Sequence, residues 1–388
     1  MKNVSLQSNK KVFDMNPFSF GNIVRGDEFY DRTRETELLV STLTGGNNVV
    51  LFAPRRFGKT SLVFKVMEQL ESQGIVCVYI DLMATYSLES LVELYVNAVK
   101  EKQGRIETFA KNLSKWVKSI RPKVDFGPDG MPSFSVDFEN GKADAATVAE
   151  VFDLPQHLAQ KGKRVLVVID EFQEITRFQK YGLGGVLRSI IQRQKNVNYI
   201  FLGSKTHLMM QMFDSKKRPF YNSGIQVQIG PLPQEDTIRF LQQRFASDGM
   251  VIGEEQCKYL IECVGDIPYY IQLLASVLWQ RVVTNKHTIT NDDIDLCVDD
   301  IIGLKGDYYQ EQFDKYSERQ KSLLEAIAVD GCNIFSSRYI QRHRLAPAST
   351  VQKSVAVLTE DGVIEKEGGN YFISDPFLRR YIIAKYWL

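Results

Sequence analysis

The sequence has almost no net charge: 48 Lys and Arg stand against 47 Asp and Glu, a formal +1 at pH 7. No global field therefore draws the chain to nucleic acid or to an anionic membrane, and any basic surface must be local. Its five cysteines, Cys77, Cys257, Cys263, Cys297 and Cys332, form no C-x-x-C pair, and with four histidines no Cys/His set has zinc spacing. They read as reduced thiols, mostly core, and cytoplasm is the expected compartment. The N-terminal stretch lacks the apolar run of a signal peptide. No stretch of about 18 apolar residues is present to span a bilayer, so no membrane partner is expected. Internal repeats and low-complexity tracts are missing too.

What is present is ordinary globular composition, 44% hydrophobic and 24% charged over 388 residues, a length that suggests two or three domains. Residues 1–22 read as a tail or strap. Apolar runs and helical patterns then alternate. Asn48–Ala53 is a strand, and Thr60–Gln73 a helix with Leu62, Val63, Val66, Met67 and Leu70 on one side and Gly74 as C-cap. Ile75–Leu82 is a second strand and Leu88–Val99 a helix. The rhythm then breaks at about 104–142. There Arg105–Lys123 reads as a basic amphipathic helix, with Leu113, Trp116, Val117 and Ile120 on one face. It runs into KVDFGPDGMPSFSVDFEN, two alternating segments around a turn, an inserted β-hairpin. The pattern resumes with a helix over Ala145–Gln160, the strand RVLVVIDE, a helix over Val186–Gln194, a strand over Asn198–Ser204, a helix over Thr206–Phe213 and a strand over Ile225–Ile229. Strands alternating with helices imply an α/β fold with a parallel sheet covered on both faces. Residues 231–313 read as all-helical. Residues 314–388 give three helical stretches, two strands around a Gly-Gly turn and a last helix, the order of a winged helix-turn-helix.

The stretch LFAPRRFGKTSL sits between a strand and a helix. It matches the phosphate-binding pattern G-x-x-x-x-G-K-[ST] except that Ala53 replaces the first glycine. That glycine has only to permit the turn leaving the strand, so alanine adds a methyl group and removes no ligand. Pro54, Arg55, Arg56, Phe57, Gly58, Lys59, Thr60 and Ser61 would then cradle ATP phosphates with backbone N–H groups and a helix N-terminus. Lys59 would reach the β/γ-phosphates and Thr60 would ligate Mg²⁺. A second acid-bearing strand end follows: Asp170 to hold the metal's water shell and Glu171 as general base for water. The two motifs lie about a hundred residues apart, each at the C-terminal end of a strand, where open α/β sheets bind ligands. Ser204, ending the next strand, is placed to sense the γ-phosphate or position the water; it reads equally as a helix cap. Arg218 is a candidate cation for transition-state charge, or part of a solvated basic turn.

Together PRRFGKTSL, the IDEF strand end, YIFLGS with MMQMF and RPFY, and VGDIPYYIQLL resemble the archaeal-type ATPase family. This is an AAA-related, STAND-like group of P-loop proteins, and the resemblance runs from about Phe20 to Leu388. It implies a P-loop ATPase core at 23–230, a helical lid at 231–313 and a winged helix at 314–388. It also implies that Ile23–Glu35, including Val24, wraps near the adenine, and that Asp266–Tyr270 brings Pro268 over the base. Related STAND proteins often carry an arginine where this chain has Ser204. The arginine finger of hexameric AAA proteins has no clear counterpart, so a monomer or low-order oligomer is expected.

In the last domain Ala348–Leu358 would be the recognition helix, presenting Ser349, Thr350, Gln352 and Lys353, with Arg338, Arg342, His343 and Arg344 just before it. That basic rim suggests double-stranded DNA phosphates, while winged helices also serve as protein-contact modules. Two function classes stay open: an ATPase acting on DNA or a protein, and a nucleotide-gated switch or scaffold that turns over very slowly or not at all.

Overall fold

The computed structural model describes residues 16–23, 32–126, 132–285 and 287–387. The chain divides into two compact units, one of residues 25–230 and one of residues 1–24 with 231–388.

The first unit opens with α1 (Thr33–Thr44), β1 (Val49–Phe52), α2 (Lys59–Ser72), β2 (Val76–Asp81), α3 (Leu88–Lys100) and α4 (Ile106–Trp116). A hairpin of β3 (Ile120–Phe126) and β4 (Pro132–Phe138) follows, then α5 (Ala145–Phe152), α6 (Leu154–Leu158) and β5 (Val165–Asp170). A 3₁₀ segment, Phe172–Tyr181, leads to α7 (Leu183–Arg193), β6 (Val197–Gly203), α8 (Thr206–Asp214) and β7 (Ile225–Gln228). The five parallel strands stand in the order β2-β5-β6-β1-β7. Every residue of β1, β5 and β6 is buried, which is why these strands read as unbroken apolar runs and not as alternating ones. Successive side chains still point to opposite faces. Val50, Phe52, Val167, Ile169, Tyr199 and Phe201 join one core with α3, α5 and α7. Leu62, Val63, Val66 and Leu70 of α2 are fully buried, and α2 packs on α1 and β2. Each such aliphatic side chain contributes about 1.5–3 kcal/mol.

Two expectations about local structure change, and one helix was not expected. The helix expected over Arg105–Lys123 ends at Trp116: Val117 is extended at φ −120°, ψ 118°. The amides of Lys118 and Ser119 donate to the Glu150 carboxylate at 2.7 and 3.0 Å, and the chain goes directly into β3. Pro122 could not have continued the helix, because it lacks an N–H and restricts its neighbour. The helix expected over Ala145–Gln160 breaks at Asp153, with Pro155 opening the short α6. An unanticipated helix, α1, begins at Thr33, and Arg32 before it gives no side-chain cap. Trp116 is half-buried and stacks on His157, 4.8 Å between centroids and 6° between planes, a packing role. On the hairpin, Arg121 pairs with Glu139 at 2.5 Å and Lys123 with Asp137, so its charged face largely neutralises itself. The turn between the strands, residues 127–131, lies outside the described residues.

The second unit contains α9 (Gln234–Ser247), α10 (Glu254–Val264), α11 (Pro268–Val282), α12 (Asn291–Leu304) and α13 (Gly306–Asp314). Then come α14 (Glu318–Val329), α15 (Ser337–Arg342), α16 (Ala348–Glu360), the antiparallel pair β8 (Ile364–Glu367) and β9 (Asn370–Ile373), and α17 (Pro376–Tyr386). The last helix packs on α10, α12 and α13 as well as on α14. Phe377 meets Tyr270 edge-on at 5.8 Å, and Arg380 donates to the Cys263 carbonyl at 3.3 Å. Residues 16–23 belong here: Asn16 donates to the Ser276 carbonyl and hydroxyl at 3.0 and 2.8 Å, and the buried Phe18 ring lies tilted against Phe245 at 4.8 Å between centroids. Among the described residues no helix is long and apolar enough to cross a membrane.

Candidate nucleotide site

The site grows from the sheet order. Because β6 lies between β1 and β5, Ser204 falls between the loop after β1 and the acids after β5. The loop from Ala53 to Gly58 turns at two positive-φ residues, Arg56 (φ 71°) and Gly58 (φ 78°). Ala53 is not one of them; it is fully buried, and its amide points to the Gly203 carbonyl at 3.4 Å. No left-handed conformation is asked of it, so the alanine costs the turn nothing. Gly58 caps α2 from the left-handed region, where a β-carbon would be strained.

Lys59 opens α2 and is 6% exposed. Its ammonium donates to the carbonyls of Ala53 and Pro54, both at 2.8 Å, which folds the loop around the lysine. Thr60 donates to Asp170 Oδ2 at 3.1 Å across 110 residues of sequence. Arg55 and Arg56 are exposed, Phe57 and Ser61 buried, and Pro54 half-buried. Val24 lies outside the described residues, and Pro268 opens α11 in the second unit. Arg218 lines a cavity of about 140 Å³ with Thr176, Gly184, Met212 and Phe220.

Asp170 is 5% exposed and accepts three hydrogen bonds: from Tyr79 Oη at 2.7 Å and Thr60 at Oδ2, and from the Glu171 amide at 2.8 Å at Oδ1. Burial pushes its carboxyl above the usual range; the Tyr79 and Glu171 donors pull it back, and the charges of Glu171 and Asp81 raise it again. The Tyr79 phenol is pushed up by its own burial and by Asp170, so it stays a donor at neutral pH. Glu171 has left-handed backbone, φ 49° and ψ 44°, a costly conformation for a non-glycine residue that turns its side chain off the strand. Its Oε2 accepts from Ser204 Oγ at 2.7 Å and from Gln173 Nε2.

Arg32, Tyr79 and Gln173 were not picked out by sequence reasoning. Arg32 is 3% exposed and ties the loop in place, donating to Gly230 O at 2.7 Å, Phe57 O at 3.5 Å and Glu35 at 2.9 Å. Its carbonyl partners, Phe57 and Gly230, are too distant in sequence for any motif to announce them.

A hydroxyl and a carboxylate in contact at the start of a loop-capping helix are the donors a nucleotide-bound Mg²⁺ uses, since phosphates and water fill most of its shell. No group of three His, Cys, Asp or Glu able to hold a metal by itself occurs among the described residues. The Thr60 hydroxyl and Asp170 carboxylate have the oxygen-donor chemistry that would suit Mg²⁺.

Residues 29–274 match the family described as an ATPase domain predominantly from Archaea. The chain belongs to that ATPase family. Residues 307–384 of this family member match a further description, "Probable winged helix domain". A Walker-type ATPase of Pyrococcus abyssi has the same fold: TM-score 0.64 at 17% identity, covering 94% of this chain and 99% of that one. The ORC2 protein of Aeropyrum pernix in its ADP form gives TM-score 0.51 at 13% identity, with 95% and 97% covered. None of the curated proteins matches the sequence.

In the winged helix, Arg338, Arg342 and Arg344 are exposed, and Arg342 reaches Asp330 at 3.9 Å. His343 is half-buried, its pKa lowered by burial and by Arg342. The exposed face of α16 carries Ser349, Gln352, Lys353, Ala356, Val357 and Glu360, one basic and one acidic residue; Thr350 is half-buried.

Proposed function

We infer that this protein binds ATP with Mg²⁺ at the loop between β1 and α2 and hydrolyses it. The observation that supports this reading is the chain of contacts from Thr60, next to Lys59, to Asp170 and from Glu171 to Ser204, at the ends of neighbouring strands. Lys59 would exchange the Ala53 and Pro54 carbonyls for β- and γ-phosphate oxygens, a stronger, charge-assisted pairing. Backbone N–H groups of the loop and the N-terminus of α2 would take the remaining phosphate charge. Thr60 and Asp170 would hold Mg²⁺, which when bound neutralises charge on the β,γ-bridge. Glu171 orients a water for in-line attack. As the new O–P bond forms, the bond to the bridging oxygen breaks and ADP leaves with its electron pair. Glu171 takes the water's proton and later returns it to solvent. Ser204 steers Glu171 toward the γ-phosphate, and Arg218 is a candidate for the developing charge. Turnover would reposition the helical segment and the winged helix against a double-stranded DNA or protein partner.

A protein partner gains support from the nearly neutral exposed face of α16, which offers DNA phosphates little beyond Lys353. The test is phosphate release from Mg·ATP by wild type and Glu171→Gln, with and without double-stranded DNA at several salt concentrations. Turnover in wild type alone supports hydrolysis, and salt-sensitive stimulation by DNA supports a nucleic-acid partner. ATP binding with no phosphate release would favour the nucleotide-gated scaffold instead.

A further inference from the structure

We propose that Gln173 is a positioning residue of the hydrolytic site: its amide, with the Ser204 hydroxyl, holds Oε2 of Glu171 and so fixes the orientation of that carboxylate. The inference rests on Glu171 being the base.

Gln173 is 1% exposed, two residues past Glu171 at the start of the 3₁₀ segment. That segment is firmly held. Thr176 bonds back to the Gln173 carbonyl at 2.7 Å. Phe172 is packed among Phe201, Phe213 and Phe220 at 4.6–5.8 Å between centroids. Gln173 and Ser204, from two different elements, donate to the same oxygen, Oε2 of Glu171. Among the described residues no donor reaches Oε1, so Oε1 is the oxygen left to face a water.

The other end of the amide is unusual. Gln173 Oε1 is buried without a hydrogen-bond partner, an arrangement that is unfavourable by itself. The cavity that accepts it is made by Gly203, the last residue of β6. A β-carbon there would come within 2.8 Å of Gln173 Oε1 and 2.4 Å of the Met209 side chain. Strand β6 thus ends in the residue that leaves room for this amide, immediately before the serine that shares its task.

A serine hydroxyl and a glutamine amide are neutral donors, so they orient the carboxylate without setting a second charge against it, as lysine or arginine would. The other charged and titratable groups around the site are Asp170 on the same strand, Tyr79 and Asp81 at the end of β2, Lys59 at the start of α2, and Glu174 with its partners Arg177 and Lys205. None of these contacts Glu171 Oε2 through a hydrogen bond among the described residues.

The experiment uses the full chain with Mg·ATP and measures kcat and KM for wild type, Gln173→Met, Gln173→Glu, Gly203→Ala and Glu171→Gln, with nucleotide affinity and melting temperature as controls. Gln173→Met should lower kcat about 10–100-fold, part of the ~10²–10⁴-fold a general base supplies, with KM and ATP affinity unchanged. Gln173→Glu should lower kcat at least as far, because a carboxylate has no N–H to donate to Glu171. Gly203→Ala should reproduce the fall in kcat of Gln173→Met by displacing the amide. If Glu171→Gln is inactive while Gln173→Met keeps the wild-type kcat, the role of Gln173 is refuted and the base assignment stands. A lowered melting temperature with an unchanged kcat reduces Gln173 to packing and also refutes it. If Glu171→Gln turns over like wild type, or wild type releases no phosphate, the base assignment falls and this inference with it.

Discussion

Replacing Asp170 by asparagine should make the protein more stable while disabling its nucleotide site. The carboxylate is 5% exposed, and its burial outweighs its donors, since its pKa lies above the usual range. Hydrogen bonds to a charged group are worth about 1.5–3 kcal/mol each, but the desolvation of a buried carboxylate costs several kcal/mol. Asparagine keeps the shape. Its carbonyl can accept from the Glu171 amide as Oδ1 does now, and its NH₂, in the place of Oδ2, can donate to the hydroxyls of Tyr79 and Thr60 once they rotate. Every contact survives and the buried charge is gone. Neutral replacements of buried charges commonly stabilise by ~1–4 kcal/mol. We expect the lower end, about 1 kcal/mol, or roughly 2–4 °C in melting temperature for a unit of this size. Linkage sets the pH dependence. A carboxyl whose folded pKa is raised favours folding most below its unfolded value, and that contribution is lost as pH rises through the folded pKa. The advantage of asparagine should therefore be full at neutral pH and vanish in acid, where Asp170 is itself neutral. Scanning calorimetry of both proteins from acid to neutral pH, with and without Mg·ADP, reads all of this. Mg·ADP should stabilise wild type far more than the variant. A drop in stability of more than about 1 kcal/mol at neutral pH, without ligand, would show that the hydrogen bonds outweigh the burial and refute the reasoning.

Lys59→Met should weaken ATP binding at least about 100-fold, because a point charge on the phosphates is lost, and titration with a fluorescent nucleotide measures it. The same change removes the donor from the Ala53 and Pro54 carbonyls and should cost about 1 kcal/mol of stability in a thermal melt. Tyr79→Phe should leave ATP affinity in the absence of metal unchanged while raising the Mg²⁺ concentration needed for half-maximal turnover, since Asp170 loses its closest donor. Native thiol titration should modify Cys332 alone. The other four cysteines are buried, and burial pushes the Cys77, Cys257 and Cys297 thiols up to about 12, leaving little reactive thiolate until the protein unfolds.

The parts of the site legible in sequence are those whose chemistry is local. A strand, a G-K-T loop and a helix announce themselves within a dozen residues, and an apolar run ending in two acids does the same. The sheet order made by pairing β6 with both β1 and β5 is what turns three separate strand ends into one site. Tyr79 escaped because it reads as one more apolar strand residue. Only the register of β2 against β5, with Tyr79 opposite Val168 and Asp81 opposite Asp170, brings its hydroxyl to Asp170. The helix over-extended past Trp116 for a different reason: Leu113, Trp116, Val117 and Ile120 satisfy helical spacing, whereas Ile120, Pro122 and Val124 also alternate. The packing of β3 on β4, from Ile120 against Phe138 onward, decides between the two periods. The first helix, α1, was hidden because its start lacks a side-chain cap and its buried face is half threonine: Thr36 and Thr42 beside Leu39 and Leu43.

The central claim is that Glu171 activates water on a nucleotide held by Lys59 and Thr60. It is tested most directly in a single turnover, with γ-labelled Mg·ATP bound to excess protein and the label followed by rapid quench. Wild type should release the label as phosphate, and Glu171→Gln should bind the same ATP yet release it at least about 100-fold more slowly. Equal rates in the two proteins would contradict the assignment and move the hydrolytic base elsewhere in the site.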